Sequence, residues 1–136
     1  MDYFPDSHLR DEAQKKLFIL QDNLVMKEYL SAELYFNLGG YFGNINANTE
    51  SNYESCIITA QNALKTYPYS SLREKFSVLI MKSKFELAQN SSEEKRLDRY
   101  RDAEDECYGF LNEFPESEEC KTAERYIAKC KKVTGD

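Results

Sequence analysis

A four-residue phrase, aromatic-Pro-x-Ser, occurs three times in the chain: Phe4-Pro5-Asp6-Ser7, Tyr67-Pro68-Tyr69-Ser70 and Phe114-Pro115-Glu116-Ser117. It contains all three prolines of the protein. Proline pushes the residue before it out of the helical region, and serine is a favoured helix N-cap. The phrase therefore reads as a helix stop followed by a helix start. Three such joints in a chain otherwise rich in helix formers predict stacked helical hairpins. That architecture suits binding other proteins rather than performing chemistry.

Aligning the second and third phrases on proline exposes a repeat. Tyr53, Cys56, Ala60, Ala63, Leu64 and Tyr67 match Tyr100, Ala103, Cys107, Phe110, Leu111 and Phe114. The shared spacing places each set on one helix face. Residues 52–66 and 99–113 are thus expected to be equivalent helices, with small residues that let neighbours approach closely. A helix is expected over 71–89, opened by the capping-box form Ser71-Leu72-Arg73-Glu74. Another is expected over 118–132, with Lys129, Lys131 and Lys132 favourably placed at the negative end of its dipole. No region reads as a strand.

From Ser7 to Leu38 there is no Gly and no Pro. Leu17, Leu20, Leu24, Ser31, Tyr35, Leu38 and Phe42 keep a seven-residue rhythm. This predicts a long helix, either continuous or broken at Asp22-Asn23, since Asp and Asn are weak helix formers. Gly39, Gly40 and Gly43 are expected to end it. Residues 44–52 are polar, carry four Asn and lack periodicity, so a loop is expected there. A second connection opens at Asn90-Ser91-Ser92. That tripeptide also has the form of a glycosylation acceptor.

The 136 residues fit one domain. Apolar content of 41% and charged content of 31% are those of a globular protein. A net charge of -6 argues against a nucleic-acid partner. No apolar run approaches a membrane span, and the first residues lack the form of a signal peptide. The chain opens abruptly on the joint phrase, whereas repeat arrays normally begin with a cap, so an excised fragment with an added start codon is expected. Cys56, Cys107, Cys120 and Cys130 include no CxxC pair. Three of them fall on apolar helical positions, which favours buried free thiols over a metal site or disulfide. No cofactor, metal or catalytic residue is expected. His8, the only histidine, reads as a solvated first-turn residue.

A helix–turn–helix unit closed by proline is the tetratricopeptide pattern. Tyr35, Leu38, Gly39 and Phe42 fit its first helix; Cys56, Ala60, Ala63 and Pro68 fit its second. The predicted fold is all-α: tetratricopeptide-like hairpins stacked in a short right-handed solenoid. One domain over 1–136 would hold hairpins at 7–67 and 70–114 and a C-terminal helix at 118–132. Several stretches resemble the BamD family more specifically. They are Phe4-Pro5-Asp6-Ser7, the run Lys16-Leu17-Phe18-Ile19-Leu20-Gln21-Asp22-Asn23-Leu24, the run Lys27-Glu28-Tyr29-Leu30-Ser31-Ala32-Glu33-Leu34-Tyr35-Phe36, and Ala63-Leu64-Lys65-Thr66-Tyr67-Pro68-Tyr69-Ser70. The resemblance covers about residues 1–130 and only the C-terminal part of the family. The lipidated cysteine and N-terminal repeats have no counterpart here, and the Asn-rich 44–52 departs from the family's compact hairpin.

The resemblance implies a non-enzymatic scaffold of the outer-membrane β-barrel assembly machinery, at the periplasmic face of the outer membrane. Its implied partners are the POTRA domains of a BamA-like barrel-insertion protein, other subunits of that machinery, and unfolded barrel proteins. Membrane attachment would come only through an N-terminal lipid anchor absent from this chain. The alternative is a general tetratricopeptide adaptor for peptide tails; the acidic balance argues mildly against the basic clamp such adaptors use. A third class, a thiol or metal enzyme, would have to use the four cysteines.

Candidate partner-binding residues are Lys27, Glu28, Tyr29, Phe36, Arg99 and Asp102. Tyr29 and Phe36 are read as surface aromatics, with Lys27 and Glu28 as charged neighbours. Tyr35, Leu38 and Phe42 are read as core. Arg99 and Asp102 belong to a charged run with Arg96, Arg101, Glu104, Asp105 and Glu106, read either as a docking face or as a solvated helix face with local pairs.

Overall fold

The computed structural model describes the backbone of residues 3–42, 48–68 and 70–135. Among the described residues there are five helices and no strand: α1 (Tyr3–Phe42), α2 (Asn48–Thr66), α3 (Arg73–Gln89), α4 (Glu93–Glu113) and α5 (Cys120–Thr134). Each packs against the next in sequence. Alternate helices also meet. The Tyr29 ring of α1 stands edge-on to Phe76 of α3 at 5.7 Å, and Phe85 of α3 stacks on Tyr126 of α5 at 4.0 Å. Arg99 of α4 reaches Glu54 of α2 at 3.4 Å.

The all-helical expectation holds, with corrections at the boundaries. The first phrase is not a joint. Pro5 lies in the first turn of α1, where its missing N–H would have no intrahelical partner anyway. The helix then runs for 40 residues, about 60 Å at 1.5 Å per residue. It passes unbroken through Asp22 and Asn23, whose propensity cost is only a fraction of a kcal/mol each. It also passes through Gly39 and Gly40, expected as its end. The stretch expected as a loop at 44–52 enters α2 at Asn48; residues 43–47 lie outside the described residues.

Gly39 has a packing reason to be glycine. A Cβ placed there would stand 2.9 Å from the Tyr53 ring, closer than real side chains allow. The absent side chain lets α1 and α2 close on each other, with Phe36 edge-on to the same ring at 5.7 Å. Ala32, Cys56, Ala60 and Ala63 continue that close contact and are all buried.

The two remaining joints share a set of hydrogen bonds. Tyr67 N–H donates to Ala63 O at 2.8 Å, as Phe114 N–H does to Phe110 O at 2.8 Å. Ser70 N–H donates to Tyr67 O at 3.2 Å, and Ser117 N–H to Phe114 O at 3.1 Å. Each serine hydroxyl accepts the N–H two residues on: Leu72 to Ser70 Oγ at 3.0 Å and Glu119 to Ser117 Oγ at 3.1 Å. The serines therefore hold turns rather than cap helices. The expected capping box of Ser71 and Glu74 does not form, because α3 starts at Arg73 with no side-chain cap.

The helix expected over 99–113 starts earlier, at Glu93. Ser92 is at its N-cap position and Glu93 and Glu94 occupy the first turn, where the dipole favours acids. The connection at 90–92 is accordingly tight. Gly135, in the left-handed conformation (φ 82°), closes α5 by donating to Lys131 O at 2.9 Å.

Two apolar clusters form the core. One joins Val25 and Ala32 with Cys56, Ala60, Ala63, Phe76, Leu79 and Ile80. The other gathers Met81, Phe85 and Ala88 with residues of α4 and α5. α3 supplies both. The N-terminal half of α1 joins neither: from Leu9 to Leu24, every residue whose side chain is described is exposed.

The two helical glycines that can be compared should respond oppositely to alanine. Gly39→Ala gains about 1 kcal/mol of helix propensity but suffers an overpacking cost of about 1–3 kcal/mol against Tyr53, so it should lower the melting temperature. Gly109, exposed with open space around its Cβ position, should gain about 0.5–1 kcal/mol as Gly109→Ala. Thermal denaturation of both variants decides this; a more stable Gly39→Ala would mean that the α1–α2 contact is looser than described.

Native-state hydrogen exchange should also divide α1. An isolated helical segment is marginal in water. Amides between residues 10 and 22 should exchange at least about tenfold faster than those between 29 and 39, which are held by α2 and α3. Equal protection along the helix would show that its first half is supported.

Candidate functional site

The inward face of α1 is set by Val25, Ala32 and Gly39, spaced by seven and all buried. Tyr29 and Phe36 lie beside this line and are half-buried. They form one wall of an open groove of about 940 Å³. The N-terminal half of α3 gives its floor through Val78 and Leu79, and the α4–α5 joint closes it with Phe114 and the residues that follow. The third copy of the repeated phrase is thus part of the groove.

Around this apolar base stand Glu33, Glu74, Glu113, Glu116, Glu118 and Glu119, with only Lys75 and Lys82 opposing them. Arg73 pairs with Glu113, and Lys82 lies 3.7 Å from Glu119. The Lys75 ammonium sits over the Tyr29 ring, 5.7 Å from its centroid. Tyr29 is hydrogen-bonded to Glu33; burial first, then that carboxylate, pushes its phenol up to about 12. Among the described residues no ion pair within 4 Å is seen for Glu74, Glu116 or Glu118. The groove therefore carries a negative excess over an aromatic and aliphatic floor.

The sequence candidates separate in space. Tyr29 and Phe36 line the groove together. Lys27 lies on another side of α1, in a shallow depression with Met26, Leu30 and Leu34. Glu28 is half-buried and lines neither. Arg99 donates to Ser91 Oγ at 2.6 Å and to Glu54 at 3.4 Å, tying α4 to the preceding turn and to α2. Asp102 accepts from Lys84 at 3.2 Å, and Glu106 shares the same ammonium at 3.3 Å. Lys84 and Arg99 are themselves largely shielded from solvent, whereas Asp102 and Glu54 are exposed.

The aromatic assignment is corrected in one respect. Tyr35, expected in the core, is 36% exposed, while Tyr29 and Phe36 pack at the edge of the first cluster. The seven-residue rhythm through Leu17, Leu24, Ser31 and Leu38 follows a different line on the helix from the one that meets α2. The side chains of His8 and Phe42 lie outside those described. Sequence reading missed Glu74, Glu116 and Glu118. The only advance signal, for Glu116 and Glu118, was the run of acids after Pro115.

Cys56, Cys107 and Cys130 are buried and free, and Cys120 is half-buried. Burial pushes the Cys107 thiol up to about 12 and that of Cys130 to about 11. Cys56 is raised for the same reason, although Ser83 Oγ donates to its sulfur at 3.1 Å. Thiols held neutral this firmly are poor nucleophiles. Among the described residues no three His, Cys, Asp or Glu are grouped to hold a metal ion, and no helix is long and apolar enough to cross a membrane. Compared with known families and curated proteins, the chain matches no family model and no curated sequence.

The buried phenols fix an alkaline response. Burial is the first cause that raises both Tyr29 and Tyr53 to about 12 from an ordinary value of 10.0. A folded value above the unfolded one means that their contribution to stability is complete below pH 10 and lost as pH rises towards 12. Absorbance at 295 nm should show tyrosine ionisation in more than one step, the last coincident with loss of helical circular dichroism. One titration step in the folded protein would contradict the burial of these rings.

Proposed function

We propose that the chain is a non-enzymatic protein-binding scaffold, built as a tetratricopeptide-like solenoid whose groove receives a segment of another protein. The groove carries this reading. It is formed jointly by α1, α3 and the α4–α5 joint, so a partner lying in it touches successive hairpins at once. The paired joints at Pro68 and Pro115 support a repeating unit, because the same hydrogen bonds recur around both. Contacts of α1 with α3, of α3 with α5 and of α2 with α4 are those a stack of hairpins requires.

Within that class, the resemblance of residues 1–130 to the C-terminal part of the BamD family is the more specific proposal. The chain then serves the outer-membrane β-barrel assembly machinery on the periplasmic side, docking on the POTRA region of the barrel-insertion protein. An adaptor that clamps the C-terminal carboxylate of a peptide is disfavoured, since the acidic groove repels that group.

Immobilised folded chain, challenged with the POTRA domains of the same organism's barrel-insertion protein, should retain them at low salt. Loss of that retention with circular dichroism unchanged would remove the assembly-machinery proposal.

A further inference from the structure

The groove's chemistry names the kind of segment it takes. We infer that it docks a partner segment in which Lys or Arg residues flank apolar side chains, a deepening that rests on the scaffold reading above. The volume, about 940 Å³, is at the upper end of the range of ligand pockets, about 300–1,000 Å³, and the site is open to solvent, so it can admit a chain segment. Val78, Leu79, Phe36 and Phe114 offer apolar contact at the base. With Glu113 held by Arg73, Glu119 near Lys82 and Glu33 engaged by Tyr29, the acids left to meet a partner are Glu74, Glu116 and Glu118, against Lys75 alone.

Charge of one sign along a concave, apolar-walled surface concentrates the field and raises the local concentration of opposite charge. Lys75 over the Tyr29 ring shows that this wall already accommodates an ammonium on an aromatic face. Anionic occupants are excluded by the same charges. A second copy is the competing occupant, because α5 ends in Lys131, Lys132 and the exposed Val133.

The test uses labelled, end-blocked probe peptides of about ten residues in fluorescence anisotropy: alternating Lys and Leu, and a counterpart with Glu for Lys. The Lys/Leu probe should bind the whole chain, weaken with salt, and leave the Glu/Leu probe without measurable binding. Combined Glu74→Gln, Glu116→Gln and Glu118→Gln should weaken it about tenfold. The charge-matched set Glu94→Gln, Asp98→Asn and Asp105→Asn, exposed on α4 away from the groove, should weaken it less than about twofold. Equal loss from both sets would overturn the inference as unspecific attraction, and so would equal binding of the two probes.

Concentration-dependent self-association in sedimentation velocity that is abolished by the groove set would assign the groove to a second copy and overturn it as well. The outcomes separate from those of the broader reading. POTRA retention without Lys/Leu binding sinks the groove chemistry alone. Groove-dependent Lys/Leu binding without POTRA retention sinks the assembly-machinery identity alone.

Discussion

α3 is buried on both sides, and the rest of the molecule depends on that. Phe76, Leu79 and Ile80 enter one apolar cluster; Met81, Phe85 and Ala88 enter the other. Burying a side chain of this size contributes about 1.5–3 kcal/mol, so a helix of 17 residues with eight of them buried is the main link between the two halves. Without it, α1 and α2 would share no apolar contact with α4 and α5 beyond the edges of their surfaces. Even its polar centre is accounted for: Ser83, fully buried, gives its hydroxyl hydrogen to Cys56. An unpaired hydroxyl at that depth would cost about 1–3 kcal/mol.

The half-exposed positions of α3 then decide where charge appears. Lys84 turns towards α4 and is shared by Asp102 and Glu106. Glu74, Lys75 and Lys82 turn into the groove. The two equivalent joints differ in just this respect. After Pro68 the chain reads Tyr69-Ser70-Ser71-Leu72, whereas after Pro115 it reads Glu116-Ser117-Glu118-Glu119. The same hydrogen bonds recur around both, so the acidity of the second joint is not required to form them. That separation of scaffold from surface chemistry is what a binding role needs.

Much of the fold was legible because it is written in short-range terms. The offsets shared by Tyr53 to Tyr67 and Tyr100 to Phe114 identified α2 and α4, and most of their matched residues are buried. Joints at Pro68 and Pro115 followed from local sterics. Where local terms gave two answers, sequence reading went astray. Pro5 stops a helix or starts one, and which it does depends on the residues that precede it in space. Gly39 reads as a helix end until the Tyr53 ring is placed against it. Tyr29 and Phe36 were found from their type, yet Glu74 and Glu116 were not, because 42 residues separate them and only the packing of α3 against the following joint brings them to one groove.

α1 shows a further consequence of its own pattern. Apolar residues surround its first half rather than marking one face: Leu17, Ile19 and Leu20 are 59%, 60% and 57% exposed. Later along the helix the unpaired set narrows to Met26, Leu30 and Leu34, beside Lys27. Residues three, four, seven and eight apart share a helix face, so this set borders the groove wall: Leu30 is three residues before Glu33, and Leu34 three before Asn37. The exposed apolar side of α1 therefore adjoins the groove rather than opposing it. Covering this side would leave intact the contacts that build the wall, because Val25, Tyr29, Ala32 and Phe36 hold it against α2 and α3.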